Sequence, residues 1–464
     1  MQKQKRTNDL GQDPIPQLLF RLAAPAIAAQ VVNMLYNVVD RMYIGHIPTV
    51  GTDALTGVGV TMPILMLISA FSGLIGMGGA PRASIKMGQQ DHKGAEKILG
   101  SCFAALLVIS LLLTGVFLVF GRDLLLLFGA SENTIGYAQQ YLNIYVCGTV
   151  FVQLAMGMNP FISTQGYATT SMMTVLIGAV INIVLDPILI FGFDMGVQGA
   201  ALATILSQAV SAVWVMRFLF SHKSKLRLRR ENIGLSPKII LPVLALGVSP
   251  FIMQSTESLL SIVFNTSLRR YGGDIAVGTM TIMASIMQLF MLPVMGLSQG
   301  AQPIIGYNFG ARNSARVKKA FKLLMVTTMT FVAVFWLAIM LIPQVFVALF
   351  TPDPALTQYA VWAVRIYLFG ALAMGAQMTC QQTFIAVGQA KSSIFLALLR
   401  KIILLIPLIY LLPLFFQNKV LGVFVAEPVA DILATTVTVL MFAAQFGKIL
   451  KANEQAPTAS PTEA

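Results

Sequence analysis

Residues 30–40, QVVNMLYNVVD, set an acid inside an apolar run long enough to cross a bilayer. Gln30, Asn33, Asn37 and Asp40 recur at steps of three and four, so on a helix they form one polar stripe, with Tyr36 beside it. That stripe cannot face lipid, because a carboxylate at mid-membrane costs about 2.5–3.5 kcal/mol on insertion scales. An acid held at such depth is a candidate proton or cation site, the plainer alternative being a hydrogen bond that joins helices, and the run that holds it makes the chain a membrane protein.

Composition agrees. Of 464 residues 56% are hydrophobic and only 11% charged, with a mean hydropathy of +0.78, whereas soluble domains carry about a quarter charged residues. Cys102, Cys147 and Cys380 lie in apolar segments without the spacing of a metal site or a disulfide framework, so they read as small hydrophobes. The net charge of +13 lies mostly in loops and tails, a distribution that speaks for membrane topology and against a nucleic-acid partner.

The basic start (MQKQKRTNDLGQDP) runs into a long first span with no small-residue cleavage site, so no cleaved signal peptide is expected. Apolar segments follow at 15–44, 54–80, 98–120, 138–163, 172–193 and 197–219. A basic loop at 222–238 interrupts them, and six more come at 239–268, 275–303, 320–342, 358–384, 393–415 and 420–446. Each is near the roughly 20 residues that a spanning helix needs. The expectation is an all-α membrane protein of twelve transmembrane helices in two pseudo-symmetric six-helix lobes. An amino-terminal lobe would cover 1–221, a cytoplasmic inter-lobe loop beside anionic lipid 222–238, a carboxy-terminal lobe 239–447, and a polar, disordered tail 448–464.

With the amino terminus in the cytoplasm, the outer loops hold only Arg122, Arg269, Arg270 and Lys419, with Arg41 near a span end, against more than twenty Lys and Arg inside. The positive-inside rule therefore places both termini in the cytoplasm. The halves are also copies. Pro81 matches Pro303, Gly88 Gly310, Phe128 Phe350, Tyr145 Tyr367, Gly148 Gly370 and Gly166 Gly388, every pair 222 residues apart. Six spans per copy bring both halves in from the same side, which relates them by an axis along the membrane normal with a cleft between.

Counting at 1.5 Å per residue puts Asp40, Asp186 and Thr204 about 9–12 Å below the outer ends of their spans. Asn182 and Asp186, four apart, face the same way, and Pro187 removes a backbone donor. Two carboxylates with amide, hydroxyl and carbonyl oxygens suit Na⁺ or a shared proton. On span 7, Gln254, Glu257, Ser258, Ser261 and Asn265 form the counterpart of the span 1 stripe. Glu257 is expected as a lone acid in the cleft, deeper than Asp40, where it would attract organic cations. Arg365, Arg400, Lys401, Glu427 and Asp431 are expected as a structural network containing an Arg400–Asp431 ion pair. Met280, Met283, Met287, Met291 and Met295 line span 8, and such thioethers suit varied apolar cargo or plain packing.

These residues carry a resemblance. The polar first span ending NVVD at Asp40, INIVLDP (181–187), GVQGAALAT (196–204) and GLSQGAQPIIGYNFGAR (296–312) make residues 15–446 similar to the multidrug and toxic compound extrusion (MATE) family, in its MepA-type bacterial branch. The resemblance implies two six-helix lobes and a multidrug efflux antiporter that exports amphiphilic or cationic compounds by alternating access, coupled to H⁺ or Na⁺ influx. It implies a cation site of Asp40, Asn182, Asp186 and Thr204, with Tyr36 and Asn159 as neighbours. The cleft would hold Glu257, Gln254, Asn33, Asn37, Met287 and Gln377. Sodium-driven members of the NorM type add an acid on span 10, where this chain has Gln377, Gln381 and Gln382, so the amino-lobe site is the better one for coupling. No cofactor beyond the coupling cation is expected. Small amphiphilic or cationic substrates and the lipid of a bacterial inner membrane are the expected partners, and a monomer is the expected unit.

Two other readings compete. An intramembrane enzyme would need a pattern such as HExxH, DDxxD or a Walker loop, which the chain lacks, and His46, His92 and His222 lie in loops or at span ends. A flippase for lipid-linked saccharides, built on the same plan, would want Arg or Lys in its cleft for pyrophosphate.

Overall fold

In hydrocarbon a backbone must satisfy its own hydrogen bonds, and a long apolar run does so as a helix. The computed structural model describes residues 8–48, 50–351 and 353–455, and every regular element among them is helical. In chain order these are α1 (Ile15–Gly45), α2 (Gly51–Gly88), α3 (His92–Leu127), α4 (Ile135–Cys147), α5 (Thr149–Thr164), α6 (Ala168–Pro187), α7 (Gly196–Phe220), α8 (Pro237–Gly310), α9 (Ser314–Leu341), α10 (Pro343–Ala348), α11 (Pro354–Tyr367), α12 (Ala371–Ala386), α13 (Ala390–Leu398), α14 (Ile406–Leu411) and α15 (Lys419–Gln455). Widened π turns follow α6 at Ile188–Gly192 and α13 at Leu399–Leu405.

Nine of the described stretches are long and apolar enough to span a membrane, and the two bent pairs α4–α5 and α11–α12 bring the number to eleven. The 74-residue α8 breaks at Gly273, whose φ of 65° and ψ of −160° only glycine adopts readily. Its arms, 237–272 and 274–310, are two spans, and the described residues thus hold the expected twelve. No residue pattern marks the bends, 59° between α4 and α5 and 47° between α11 and α12. Their cause is packing. A Cβ on Gly148 would lie 2.3 Å from the Ile205 side chain, and one on the repeat partner Gly370 2.6 Å from Pro428 Cα, so α7 and α15 press into the bends.

The repeat extends to the caps. Asp91 accepts from Gly94 N at the start of α3, and Asn313, 222 residues on, accepts from Arg316 N at the start of α9. One expectation needs correction. The tail expected from 448 continues as helix to Gln455 with Leu450 buried, and Asn453 Nδ2 donates to Phe309 O, so only its remainder lies outside the described residues. The basic inter-lobe loop packs onto the first half. Leu226 and Leu228 are buried, Gln165 Oε1 accepts from Lys225 N, Leu226 N and Ser224 Oγ, and Glu96 pairs with Arg229 at 3.1 Å. Alternation explains it: in SKLRLRRE the leucines turn in and the basic residues out.

The halves meet at the end that carries the chain's start. Leu10, Ile15, Leu18, Leu19 and Leu22 pack with Ile304, Phe384 and Phe442 of the second half. Arg316 donates to Leu10 O and Asp13 O, and Ser84 Oγ to Pro303 O. A Cβ at Gly247 would fall 1.8 Å from Leu74 O, and one at Gly88 1.9 Å from Tyr307 O, so the backbones of α2 and α8 touch. Among the described residues the outermost polar and aromatic contacts across the seam are Gln30–Gln299 at 3.2 Å, Phe71–Phe251 with ring centres 5.0 Å apart, and Ser258–Met66. Past these contacts Asn33, Asn37 and Glu257 are exposed, as a cleft opening away from the termini requires.

Candidate functional site

Helices α1, α6 and α7 converge on a set of buried acids and oxygens in the first half. Asp186 and Asn182 are fully buried, and Asp40 and Thr204 are each 7% exposed. Asn182 Nδ2 donates to Asp186 Oδ1 at 3.3 Å and lies 3.5 Å from Thr204 Oγ1, so one amide ties α6 to α7. Thr204 spends its own hydroxyl hydrogen on Ala200 O at 3.0 Å, which leaves the oxygen turned to the site. The Asp40 carboxyl reaches across from α1 to that of Asp186. Pro187 supplies no backbone N–H, and the π turn after it re-aims the chain just past the acid.

Three oxygens at this point lack any donor: Asp40 Oδ1, Asn182 Oδ1 and Asp186 Oδ2. Buried polar atoms are nearly always hydrogen-bonded, so three orphans converging on one place call for an explanation. Hard oxygens of this kind suit a proton or an alkali cation rather than a soft metal. Among the described residues no three His, Cys, Asp or Glu side chains gather as a transition-metal site would need.

Tyrosines close the site. Tyr36, beside the stripe on α1, lies near both acids. Tyr141 on α4, which the sequence did not single out, lies beside Asp40 with its hydroxyl at Thr204, and it stacks on Tyr145 with ring centres 6.2 Å apart. The only available signal was the four-residue spacing of the tyrosines in YLNIY. Asn159, expected as a close neighbour, is engaged elsewhere: it donates to Ser171 O and accepts from Thr174 Oγ1, two turns along α6 from Asn182.

The expected cleft residues divide. Asn33 and Asn37 are exposed, with Asn37 Nδ2 bonded to Asn33 O. Gln254 faces Gly73 of α2 across the seam. Met287 packs against the core of the second half rather than standing free. Gln377 is buried and lines a small cavity with Met253, Met378, Gln381, Arg400 and Lys401.

Glu257 is not the lone acid that the sequence suggested, because Lys401 pairs with it and also donates to Met253 O at 2.6 Å. Beside this pair Arg400 bonds Asp431 at 2.7 Å and Glu427 at 2.9 Å, which realises the expected Arg400–Asp431 ion pair. Arg365 is exposed and stands apart from this cluster. Residues 296–300, GLSQG, match the spacing of a serine-hydrolase elbow. Ser298, however, lies within the helical arm 274–310 with no strand before it and is only 3% exposed, so it cannot act as an elbow nucleophile.

Comparison with known proteins follows the same two halves. The MatE family model matches residues 25–188 and 250–411. The multidrug export protein MepA of Staphylococcus haemolyticus (strain JCSC1435) is 26% identical over 425 residues, which cover 91% of this chain and 93% of that protein. MepA of Staphylococcus aureus (strain MRSA252) is 23% identical over 432 residues, 93% and 95% of the two chains. Among solved structures, a MATE in the bent conformation superposes with a TM-score of 0.90 at 22% identity, covering 97% of this chain and all of that one. An outward-facing multidrug resistance MATE transporter of the MOP superfamily gives 0.88 at 22% identity, over 96% and 100% of the two chains.

Proposed function

Because the chain belongs to the MatE family, and so is a transporter and not an enzyme, we propose that it exports small amphiphilic or cationic compounds across a bacterial plasma membrane, driven by entry of H⁺ or Na⁺. The observation that carries this reading is the set of three donorless oxygens on Asp40, Asn182 and Asp186. Relatives that are called multidrug export proteins over nine-tenths of both chains support the cargo class.

In this reading lobes 1–221 and 239–447 rock about the seam, with both termini and the loop 222–238 in the cytoplasm. The closed seam then lies inside, and the cleft faces out. A cation arriving from outside would settle among Asp40, Asn182, Asp186 and Thr204, with Tyr36 closing over it and Asn159 bracing α6. Its charge would offset two buried carboxylates, so that α1 could repack against α6 and α7 at lower cost. Substrate would leave from the cleft face bearing Asn33, Asn37, Gln254 and Glu257, with Gln377 and Met287 behind it. The flippase alternative fits less well, because Arg400 and Lys401 are already bound to carboxylates.

The test is ethidium transport by the purified protein in proteoliposomes under an imposed pH or sodium gradient. Transport that follows one gradient and stops when it is collapsed is the expected result. Transport indifferent to both, with lipid-linked saccharide moved instead, would favour the flippase. Orientation is checked separately with Arg230→Cys, expected to resist an impermeant thiol reagent added to intact cells, and Asn418→Cys, expected to react. Both sites are exposed.

A further inference from the structure

The Lys401–Glu257 pair is lopsided. The Lys401 side chain is 4% exposed and that of Glu257 59%, so the acid stands at the open surface while its cation comes from inside the second half. Glu257 lies one residue before Ser258, whose hydroxyl meets Met66 of α2, which places the carboxylate beside the seam where the halves begin to part. A cation approaching from the cleft and Lys401 approaching from within would therefore contend for one carboxylate.

The local backbone is built to present Lys401 there. In a regular α-helix the adjacent Arg400 and Lys401 would point about 100° apart. They sit in the π turn Leu399–Leu405, and both reach acids of the same cluster, Arg400 on α15 and Lys401 on the arm 237–272. The cavity beside them, lined by Met253, Gln377, Met378 and Gln381, measures about 10 Å³, hardly the space of one water. Arg400 and Lys401 belong to the same lining.

Charge balance leaves the place attractive to a cation even so. Glu257, Glu427 and Asp431 face Arg400 and Lys401, with Tyr367 alongside, so three acids meet two bases and the cluster in its ionised form carries one excess negative charge. A displaced Lys401 would not be stranded, because Met253 O still accepts from it and Glu427 lies near. Displacement is thus cheaper than breaking a buried pair outright.

We propose that Lys401 is a built-in competitor for the substrate's ammonium, holding Glu257 in the empty transporter and yielding it to an organic cation that enters the cleft. It is a specificity-determining residue: it weakens cation binding by one charge-assisted hydrogen bond, so that bound cargo can be released, and leaves neutral cargo untouched. The proposal rests on the exporter reading above for its cargo class.

Equilibrium binding of ethidium to the purified full-length protein in detergent tests it. Lys401→Gln should tighten ethidium binding about tenfold, the worth of one charge-assisted hydrogen bond, and leave a neutral dye within about twofold. Glu257→Gln should weaken ethidium binding, and in the double variant the gain from Lys401→Gln should vanish. Unchanged or weaker ethidium binding in a folded Lys401→Gln protein overturns the proposal, as does a gain that survives Glu257→Gln. Should Lys401→Gln alone fail to fold, the double variant removes both charges of the pair, and its ethidium affinity must equal that of Glu257→Gln. A wild-type protein that pumps ethidium in the gradient assay while Lys401→Gln binds it no better would overturn this inference and leave the export reading standing.

Discussion

The two halves repeat one architecture, yet each treats its buried acids differently. In the first half no basic side chain is bonded to Asp40 or Asp186, whose described partners are an amide and each other; one oxygen of each lacks a donor, as does one of Glu427 and one of Asp431 in the second half, so the halves differ in the cation and not in the orphan oxygens. In the second half Asp431 and Glu427 share the Arg400 guanidinium, and Glu257 has Lys401. A buried carboxylate needs a cation, and an internal arginine is a permanent one that ties two helices together. Where the chain supplies none, the place suits an ion that comes and goes. On the exporter reading proposed above, the difference assigns coupling to the first half and cohesion to the second, with Lys401–Glu257 as a pair among the described residues whose acid is exposed.

The largest effect should come from the first half. Asp40→Asn and Asp186→Asn keep the shape but remove a charge each, so each is expected to bring gradient-driven ethidium transport down to the level of empty liposomes while membrane yield and melting temperature stay near wild type. Ion-driven transport that persists in either variant would break the comparison, because the acids would then be structural. The second half should respond in stability instead. Arg400→Gln strands two buried carboxylates and is expected to cost about 3–5 kcal/mol in thermal unfolding. Neutralising the whole trio, Arg400→Met with Glu427→Gln and Asp431→Asn, should recover most of it. No recovery would mean that the cluster needs its charge for more than cohesion.

Most of the first-half site was legible because an intramembrane acid is costly and therefore conspicuous: Asp40 and Asp186 announced themselves, helical spacing brought in Asn182, and the depth count brought in Thr204. The second-half partnership was harder to see. Arg400–Asp431 could be guessed from opposite charges on neighbouring spans. Lys401–Glu257 could not, since it joins residues 144 apart through a π turn that the sequence does not mark. The bends at Gly148 and Gly370 escaped because glycine in a membrane helix usually signals only close packing. Ser224 is a further lesson: it reads as a loop residue, yet it is 4% exposed and bonded to Gln165, and a label placed there would report burial instead of sidedness.

A tyrosine in an apolar span carries no such warning, and the smallest prediction uses this. Tyr141 and Tyr367 are both buried, one beside Asp40 and Thr204, the other beside Glu427 and Asp431. If the first-half oxygens hold the coupling ion, the Tyr141 hydroxyl helps to fix Thr204 and with it the oxygen offered to that ion. Tyr141→Phe removes one hydrogen bond of about 0.5–1.5 kcal/mol, which predicts a twofold to tenfold rise in the ion concentration that half-saturates transport, with little change in the maximal rate. Tyr367→Phe removes the same hydroxyl beside a cluster whose cation is already built in, so its half-saturating concentration should stay within about twofold of wild type. Initial rates of ethidium transport measured across a series of sodium or proton concentrations separate the two. A larger shift from Tyr367→Phe than from Tyr141→Phe would move the coupling ion to the second half and reverse the assignment of the two sites.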